Sequence, residues 1–274
     1  MSALQYGFMQ RAIIVGLLLA VIAPCIGITI VLKRKSMIGD ALSHTSLAGV
    51  AIGILFGINP ILGATFACIV AALGIEFIQK KIPRYSEMAI AIIMSTGIGL
   101  AGVLSGFTKS SANFNSFLFG SIVAISNMEL KLVIGISCSV LTAFLLLYKE
   151  LFYISFDERA ARIAGVPVKL VNFIFTLLTA LTISIASRTV GALVVSSLLV
   201  IPVACGMQLG RSYKKTLLYS VGFALIFTIF GLLLSYYARL KPGGTIVLTG
   251  VFCFILIILI KEGVKIIYKK NKFD

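Results

Sequence analysis

The sequence predicts an all-α protein that crosses a membrane about nine times, and eight to ten crossings fit the pattern. Hydrophobic residues make up 59% of the 274 residues and charged residues only 12%. This composition lies outside the range of soluble globular domains. The apolar residues fall into runs of about 20 residues, the length that one α-helix needs to cross a bilayer. We therefore treat residues 1–274 as a single transmembrane domain.

Nine apolar runs are predicted to cross the membrane. They are residues 12–32, 41–57, 60–79, 87–107, 130–148, 168–187, 189–210, 216–237 and 245–261. A further apolar segment, residues 114–125, is too short for a crossing and is predicted to be a re-entrant helix.

The basic residues orient this arrangement. One side receives the clusters at residues 33–35, 80–84, 149–169, 211–215 and 261–272. Because cytoplasmic loops are enriched in Lys and Arg, the N-terminus is predicted to be outside and the C-terminus in the cytoplasm.

The net charge of +15 has the same origin. The charges sit in short clusters between apolar runs, which indicates contact with anionic lipid of the bilayer and no nucleic-acid partner. The five cysteines are scattered singly through apolar runs, with no CxxC pair. They are predicted to be buried free thiols, neither disulfide-bonded nor metal ligands.

The stretch from Gly39 to Gly49 carries the candidate metal site. It contains Asp40 and, four residues later, His44, the only histidine of the chain. In a helix the two side chains share one face, and an oxygen with an imidazole makes half of a tetrahedral zinc or manganese site. Two alternatives stay open: Asp40 as the N-cap of the helix, and His44 hydrogen-bonded to a neighbouring hydroxyl or a carbonyl.

Small residues at helical spacing predict close helix contacts. Gly49, Gly53 and Gly57 form two overlapping GxxxG steps, and Gly102 with Gly106 forms another. Packing within one chain is favoured over a dimer interface for these faces.

The segment from Tyr148 to Lys169 is the longest charged stretch. A short amphipathic helix is predicted there, with Ser155 as its N-cap and Gly165 as its end. Such a helix is either a connector on the membrane surface or a docking site for a soluble partner.

Several motifs resemble a known family. Ala161, then Gly165-Val166 and a new span, looks like the coupling loop of ABC importer permeases. GDALSH at 39–44, Asn59-Pro60, and VGALVVSSLLVIP at 190–202 resemble the bacterial zinc/manganese ABC importer permeases, most closely the zinc-uptake members. Phe117 to Gly120 matches the same family.

The resemblance implies a type II ABC importer permease of the bacterial inner membrane that forms a homodimer. Its partners are a cytoplasmic ATPase and an extracytoplasmic metal-binding protein, and its cargo is zinc, with manganese or iron as alternatives. One Asp and one His from each chain then supply four ligands across the dimer axis. The residues implied to contact the ATPase lie in the loop at about 149–168: Asp157, Glu158, Arg159, Ala161 and Gly165.

The same resemblance places a gate in the transport pathway at Phe117, Phe119 and Gly120. Ser196 and Ser197 are further pathway candidates, although serines that bond their own helix beside the bend at Pro202 are the favoured reading. Two positions depart from the family pattern: Ser121 follows the LFG motif where an acid is common, and Glu87 stands where Asp is commoner.

Three other functions are weaker readings. An intramembrane metalloprotease lacks HExxH, and a siderophore or cobalamin permease lacks the Asp-x-x-x-His pair. An ion-coupled secondary transporter that titrates Asp40 and His44 stays open. The chain has no GxxxxGK[ST] loop, so it is not predicted to be an enzyme, and ATP hydrolysis falls to the partner subunit.

Overall fold

The computed structural model describes residues 7–82, 85–107, 118, 120 and 126–270, with side chains as far as residue 263. These parts hold eleven α-helices and no strand. In chain order they are α1 (Gly7–Leu32), α2 (Ile38–Leu55), α3 (Pro60–Lys81), α4 (Ser86–Phe107), α5 (Asn127–Leu146), α6 (Tyr148–Phe156), α7 (Glu158–Ile163), α8 (Val168–Ala186), α9 (Val195–Leu209), α10 (Tyr213–Ala238) and α11 (Pro242–Lys270).

Eight of these helices are long and apolar enough to cross a membrane: α1 to α5, α8 with its extension to Gly191, α10, and α11 to Gly263. The apolar helix α9 is shorter, at 15 residues. The predicted all-α membrane fold is confirmed. The re-entrant helix predicted at 114–125 lies outside the described residues, except for Leu118 and Gly120.

The boundary predicted between the sixth and seventh spans is wrong. No new span begins at residue 189, because α8 runs directly into a π-helical turn (Ser187–Gly191) and α9 starts only at Val195. Gly191, at φ +107°, ends the π-helical turn. The polar triplet Ser187-Arg188-Thr189 interrupts the apolar residues there and suggested a boundary, but the structure keeps these residues helical inside the π-helical turn.

Helix α1 forms the centre of the bundle and contacts α5, α8, α9 and α10. It has no charged residue from Ala12 to Leu32, and its side chains Leu19, Ile22 and Ile26 are almost completely buried. A helix that is apolar on every face belongs in the interior of a larger assembly of helices.

Helix α2 packs tightly between α3 and α4. At its crossing with α3, a Cβ atom on Gly49 would collide with the carbonyl oxygen of Gly63, and the reverse also holds. A Cβ atom on Gly53 would likewise lie only 3.0 Å from Pro60 Cα. The prediction of intrachain packing is therefore confirmed for Gly49 and Gly53. Close approach of backbones is how small residues stabilise helix pairs in lipid.

The other glycines of those motifs behave differently. Gly57 lies beyond the end of α2 with φ +66°, so it does not extend the helical GxxxG face. Gly102 and Gly106 have open space around them, with no described atom within 4 Å of a built Cβ. Their face of α4 is not used for packing by the described residues of the chain.

The basic clusters gather at one end of the bundle. Lys33, Lys80 and Lys169 line a common cavity there. Lys261 on α11 donates to the carbonyl oxygen of Gln208 at the end of α9. This grouping agrees with the predicted topology. The assignment of this end to the cytoplasm stays a prediction.

All five cysteines are free, as predicted. Cys25, Cys68 and Cys205 are buried, Cys253 is half-buried and Cys138 is exposed. The predicted burial is wrong for Cys138 because α5 lies at the periphery of the bundle. In a bilayer an apolar surface needs no protein cover, so hydrophobic sequence does not imply burial.

The α2–α3 crossing yields a stability prediction. Gly63→Ala adds one methyl group where the facing backbone leaves no room, and such overpacking costs about 1–3 kcal/mol. We expect the melting temperature of the detergent-purified protein to fall by about 5 °C. Gly222→Ala on α10 is the matched control, because a Cβ there meets open space. An equal change in both variants would contradict the assigned crossing.

Candidate functional site

The candidate metal ligands lie in the first two turns of α2. The helix is continuous from Ile38 to Leu55, so Asp40 and His44 share one face, one turn apart, as predicted. Both side chains are half-buried. The i,i+4 geometry on which the metal-site prediction depends is therefore present.

The alternative role of Asp40 as an N-cap is wrong. The N-cap residue is Met37, whose side chain makes no capping bond, and Asp40 is the third residue inside the helix. The helix starts early because the preceding turn already bonds its first amide, from Ile38 N to the carbonyl of Lys35 at 3.0 Å. The carboxylate still lies in the first turn, where it complements the helix dipole.

The hydroxyl groups beside His44 do not bind the imidazole. Ser43 Oγ donates to the Asp40 carbonyl at 2.9 Å, and Thr45 Oγ1 donates to the Ala41 carbonyl at 2.8 Å. Both hydroxyls donate to the helix backbone, and no hydrogen bond joins either of them to the imidazole in the described part of the chain. The reading of His44 as a histidine held by these neighbours therefore gains no support.

Asp40 and His44 lie on the less covered side of the first half of α2. From residue 38 to residue 50, the residues that the described chain does not bury are Ile38, Asp40, His44 and Thr45. Ser43 and Ser46, on other faces of the same turns, are buried. The two candidate ligands thus form a polar stripe that the described part of the chain covers only in part.

The structure brings one of the two pathway serines to this stripe. A Cβ on Gly39 would lie 2.8 Å from Ser196 Oγ, so the start of α9 touches the start of α2 beside Asp40. Ser196 Oγ donates to the Ser36 carbonyl at 3.5 Å and not to its own helix. Ser197 instead lines an apolar crevice with Phe227 and Gly250. Their pathway role stays a prediction.

Two hydroxyl pairs join α8 and its π-helical turn to α2 and α3. The hydroxyls of Ser46 and Ser187 hydrogen-bond to each other, and those of Thr65 and Ser184 do so at 3.1 Å. Sequence reasoning missed these pairs. The available signal was the presence of isolated hydroxyls inside predicted spans, since buried polar groups in a bilayer need protein partners.

The π-helical turn also meets the segment predicted to be a gate. Gly120, at φ +75°, lies so close to the Val190 carbonyl that a Cβ would collide with it. Leu193 N donates to the Leu118 carbonyl at 3.2 Å. Phe117, Phe119 and Ser121 lie outside the described residues, so their predicted roles stay predictions.

A charged pair holds the same turn to α5. Arg188 donates to Glu129 Oε1 at 3.1 Å, and the two side chains are 13% and 16% exposed. The other Glu129 oxygen accepts from Ser126 N, which completes a capping box at the start of α5. Glu87 is exposed in the first turn of α4.

The predicted coupling loop is mostly helical, formed by α6 and α7. Ser155 does not cap the second helix, because it lies within α6 and donates to the Leu151 carbonyl at 2.6 Å. The cap is Asp157, whose Oδ1 accepts from Arg159 N at 2.7 Å and from Ala160 N at 3.2 Å. A carboxylate two residues further on thus outcompetes the hydroxyl for the helix start.

Gly165 ends α7 as predicted. Its φ of +85° is the left-handed conformation that favours glycine. Val166 N donates to the Ala161 carbonyl at 3.0 Å and Gly165 N to the Arg162 carbonyl at 3.1 Å, the bond pattern of a Schellman motif. Ala161 is buried, whereas Asp157, Glu158, Arg159 and Gly165 are exposed.

A cavity of about 390 Å³ opens between this helix and the membrane-spanning helices. Its charged wall includes Lys33, Lys35, Glu76 and Glu158, and its apolar wall includes Leu42 on α2. The start of α2 and the α7 helix therefore border the same space.

One chain offers an incomplete metal site. Among the residues that the structure describes, no three side chains of His, Cys, Asp and Glu converge on one point. Asp40 and His44 can supply two ligands, and a tetrahedral site needs four.

The cap of α7 yields a prediction. Asp157→Ala removes both capping bonds, at a cost of about 1 kcal/mol to the helix. We expect amide hydrogen exchange of a peptide covering residues 157–165 to accelerate about fivefold. Asp157→Ser, which restores a capping oxygen, is the control and should exchange at close to the wild-type rate. Unchanged exchange in Asp157→Ala would contradict the capping role.

Comparison with known proteins agrees with this geometry. The sequence profile of the ABC 3 transport family matches residues 5–261. The manganese transport system membrane protein MntC of Listeria innocua is 33% identical over 98% of this chain and 96% of the relative. The manganese import system permease protein ScaB of Streptococcus parasanguinis is 31% identical over 92% and 90%.

A solved structure shares the fold. The structure of PsaBC from Streptococcus pneumoniae in complex with Fab superposes with a TM-score of 0.84 at 29% identity. The match covers 92% of this chain and 91% of the solved chain. The family profile, the relatives and the shared fold together cover nearly the whole sequence, and this chain belongs to the ABC 3 transport family.

Proposed function

We propose that this chain is the permease subunit of an ATP-driven importer for a divalent metal ion, with manganese as the main cargo. Two copies of the chain form the translocation path in the inner membrane. Asp40 and His44 of each copy bind the ion in transit.

The partly covered polar stripe on α2 is the observation that carries this proposal. A carboxylate and an imidazole at the edge of an apolar span cost free energy, so such residues indicate a functional site. The described part of the chain covers the stripe only in part, while it buries the neighbouring faces of α2. A second copy that meets this stripe across a two-fold axis completes a site with two oxygens and two nitrogens.

Such a site suits transport because the ion must leave as well as enter. Conduction needs sites that bind well enough to receive an ion but weakly enough to release it. Ligands divided between two chains separate when the chains move apart. A closed set of four ligands within one chain would instead hold the ion as a structural site does.

The names of the relatives favour manganese over zinc. The Listeria and Streptococcus proteins are named as manganese systems, whereas the sequence motifs favoured zinc-uptake permeases. The donor chemistry admits both, because imidazole suits zinc and carboxylate oxygen suits manganese. Zinc, which the sequence motifs favoured, is therefore the alternative cargo in this proposal.

The partner subunits fit the two ends of the bundle. The ATPase docks at α7, where Asp157, Glu158, Arg159 and Gly165 are exposed. Ala161, also expected to contact the ATPase, is buried and instead holds α7 against the bundle. An extracytoplasmic metal-binding protein delivers the ion at the opposite end.

The test is metal uptake by cells that lack their own importer and express this chain with its ATPase and binding protein. Asp40→Ala and His44→Ala should each reduce uptake of radioactive manganese by at least about tenfold, because each removes one ligand from both chains. The variants should still insert in the membrane and co-purify with the ATPase. Thr96→Ala, on the exposed face of α4, is the control.

Two further measurements identify the cargo and the energy source. Excess unlabelled manganese should suppress uptake more strongly than zinc at equal concentration, and the reverse result would return zinc to first place. Uptake that survives an inactive ATPase but stops with an uncoupler would establish the secondary-transporter alternative. Normal uptake by both ligand variants would remove the proposed site.

A further inference from the structure

We propose that Lys33, Glu158 and Asn172 form a mechanical link that carries the movement of α7 to α2, and that Lys33 is its central positioning residue. The proposal rests on the proposed function, in which an ATPase acts on α7 and an ion binds on α2.

The link joins three separate parts of the chain. Lys33 Nζ donates to Glu158 Oε1 at 2.8 Å and to Asn172 Oδ1 at 2.8 Å. Asn172 Nδ2 donates to Glu158 Oε1 at 3.2 Å. Glu158 is the first residue of α7, Asn172 lies in the second turn of α8, and Lys33 begins the segment that leads into α2.

Burial makes this pair different from a surface ion pair. The Lys33 side chain is 11% exposed and the Glu158 side chain 48%. Burial opposes ionisation of Glu158, but the hydrogen bond and the charge of Lys33 outweigh it and hold the pKa of this carboxyl below its ordinary value. The Lys33 ammonium is mostly buried and has two oxygen partners, and separating a buried charge from its partners is costly.

The segment between Lys33 and α2 is too short and too strongly bonded to absorb a displacement. Lys33 N donates to the Thr29 carbonyl at 3.0 Å and Lys35 N to the Ile30 carbonyl at 2.9 Å. Ile38 N, the first amide of α2, donates back to the Lys35 carbonyl at 3.0 Å. Residues 33–37 thus form a rigid corner between α1 and α2.

The corner is also tied to the neighbouring helices. Lys35 Nζ donates to Gln79 Oε1 on α3 at 2.7 Å, and Gln79 Nε2 donates to the Ser86 carbonyl at the start of α4 at 3.2 Å. Burial and the nearby charge of Lys33 lower the pKa of Lys35, partly offset by Glu158 and Glu76. A displacement of Lys33 is therefore expected to displace α2, α3 and α4 together.

Asp40 lies seven positions after Lys33 along the chain, and His44 lies eleven positions after it. A shift of α7 that follows the ATPase moves Lys33 through the ion pair, and the rigid corner moves the ligand-bearing turns of α2. Without the link, α7 still docks to the ATPase, but its movement is lost before it reaches the ligands.

The experiment uses the complete transporter, with permease, ATPase and binding protein reconstituted in lipid vesicles. Lys33→Glu and Glu158→Lys should each lower manganese uptake per ATP hydrolysed by about tenfold, within the usual range of coupling free energies. The double variant with both charges exchanged should recover most of the wild-type ratio. Lys33→Met tests the link without altering α7.

Lys80→Met is the matched control. Lys80 pairs with Glu76 at 2.6 Å at the same end of the bundle, but both residues belong to α3, so this pair joins no separate elements. Its uptake per ATP should equal that of the wild type. Co-purification of Lys33→Met and Lys80→Met with the ATPase, and manganese binding to each, establish that the site and the docking surface are intact in these two variants.

The outcomes separate the two proposals. If the wild-type complex shows no ATP-driven uptake, the proposed function fails. If it transports and Lys33→Met keeps the wild-type ratio of uptake to hydrolysis, the link is overturned. The same holds if the exchanged double variant is no better than the single variants.

Discussion

In a bilayer, polar groups inside a span need partners within the protein, and this constraint accounts for many of the contacts in the structure. Hydroxyls within the spans donate back to their own helix, as Thr179 and Thr182 do, or pair across helices, as Ser46 does with Ser187. The ion pair of Arg188 with Glu129 lies at the junction of the π-helical turn with the capped start of α5. Asp40 and His44 on α2 are half-buried, and under the proposed function the transported ion is their partner.

The second constraint is the absence of a hydrophobic force between helices in lipid. Association then depends on how closely backbones approach, and the tightest described contacts of α2 involve glycine on both sides, at Gly49 and Gly63. Thr45 meets Gly97 of α4 in the same way, at 2.7 Å to 2.9 Å from a built Cβ. Helices α2, α3 and α4 therefore pack closely together, and the candidate ligands lie on the middle member of this group.

The sequence predicts the features that depend on local chemistry. Run lengths define most spans, the Asp40–His44 spacing survives in a continuous helix, and Gly165 ends α7 where expected. Prediction from the sequence fails where two residues compete for the same local role, or where two contacting residues are far apart in the sequence. Asp157 takes the cap from Ser155 because its carboxylate reaches two amides. The polar step Ser187-Arg188-Thr189, where a boundary between spans was predicted, instead stays helical as part of the π-helical turn. Lys33 and Glu158 are 125 residues apart in the sequence. The periodic spacing of apolar residues that reveals helices and strands acts over short windows, so it cannot reveal this contact.

The position of α2 connects the candidate ligands to two other parts of the bundle. Its first turns carry the candidate ligands, the corner before it is bonded to α7, and its middle is bonded through Ser46 to the turn that meets Gly120. Under the proposed function, an ion on Asp40 and His44 and an ATPase on α7 bias the position of the same rigid element. Coupling of this kind is reciprocal: if ATP binding changes the affinity for the ion, the ion must change the affinity for ATP by the same factor. Under the proposed function, the ion would then change the affinity for ATP as well as being the cargo.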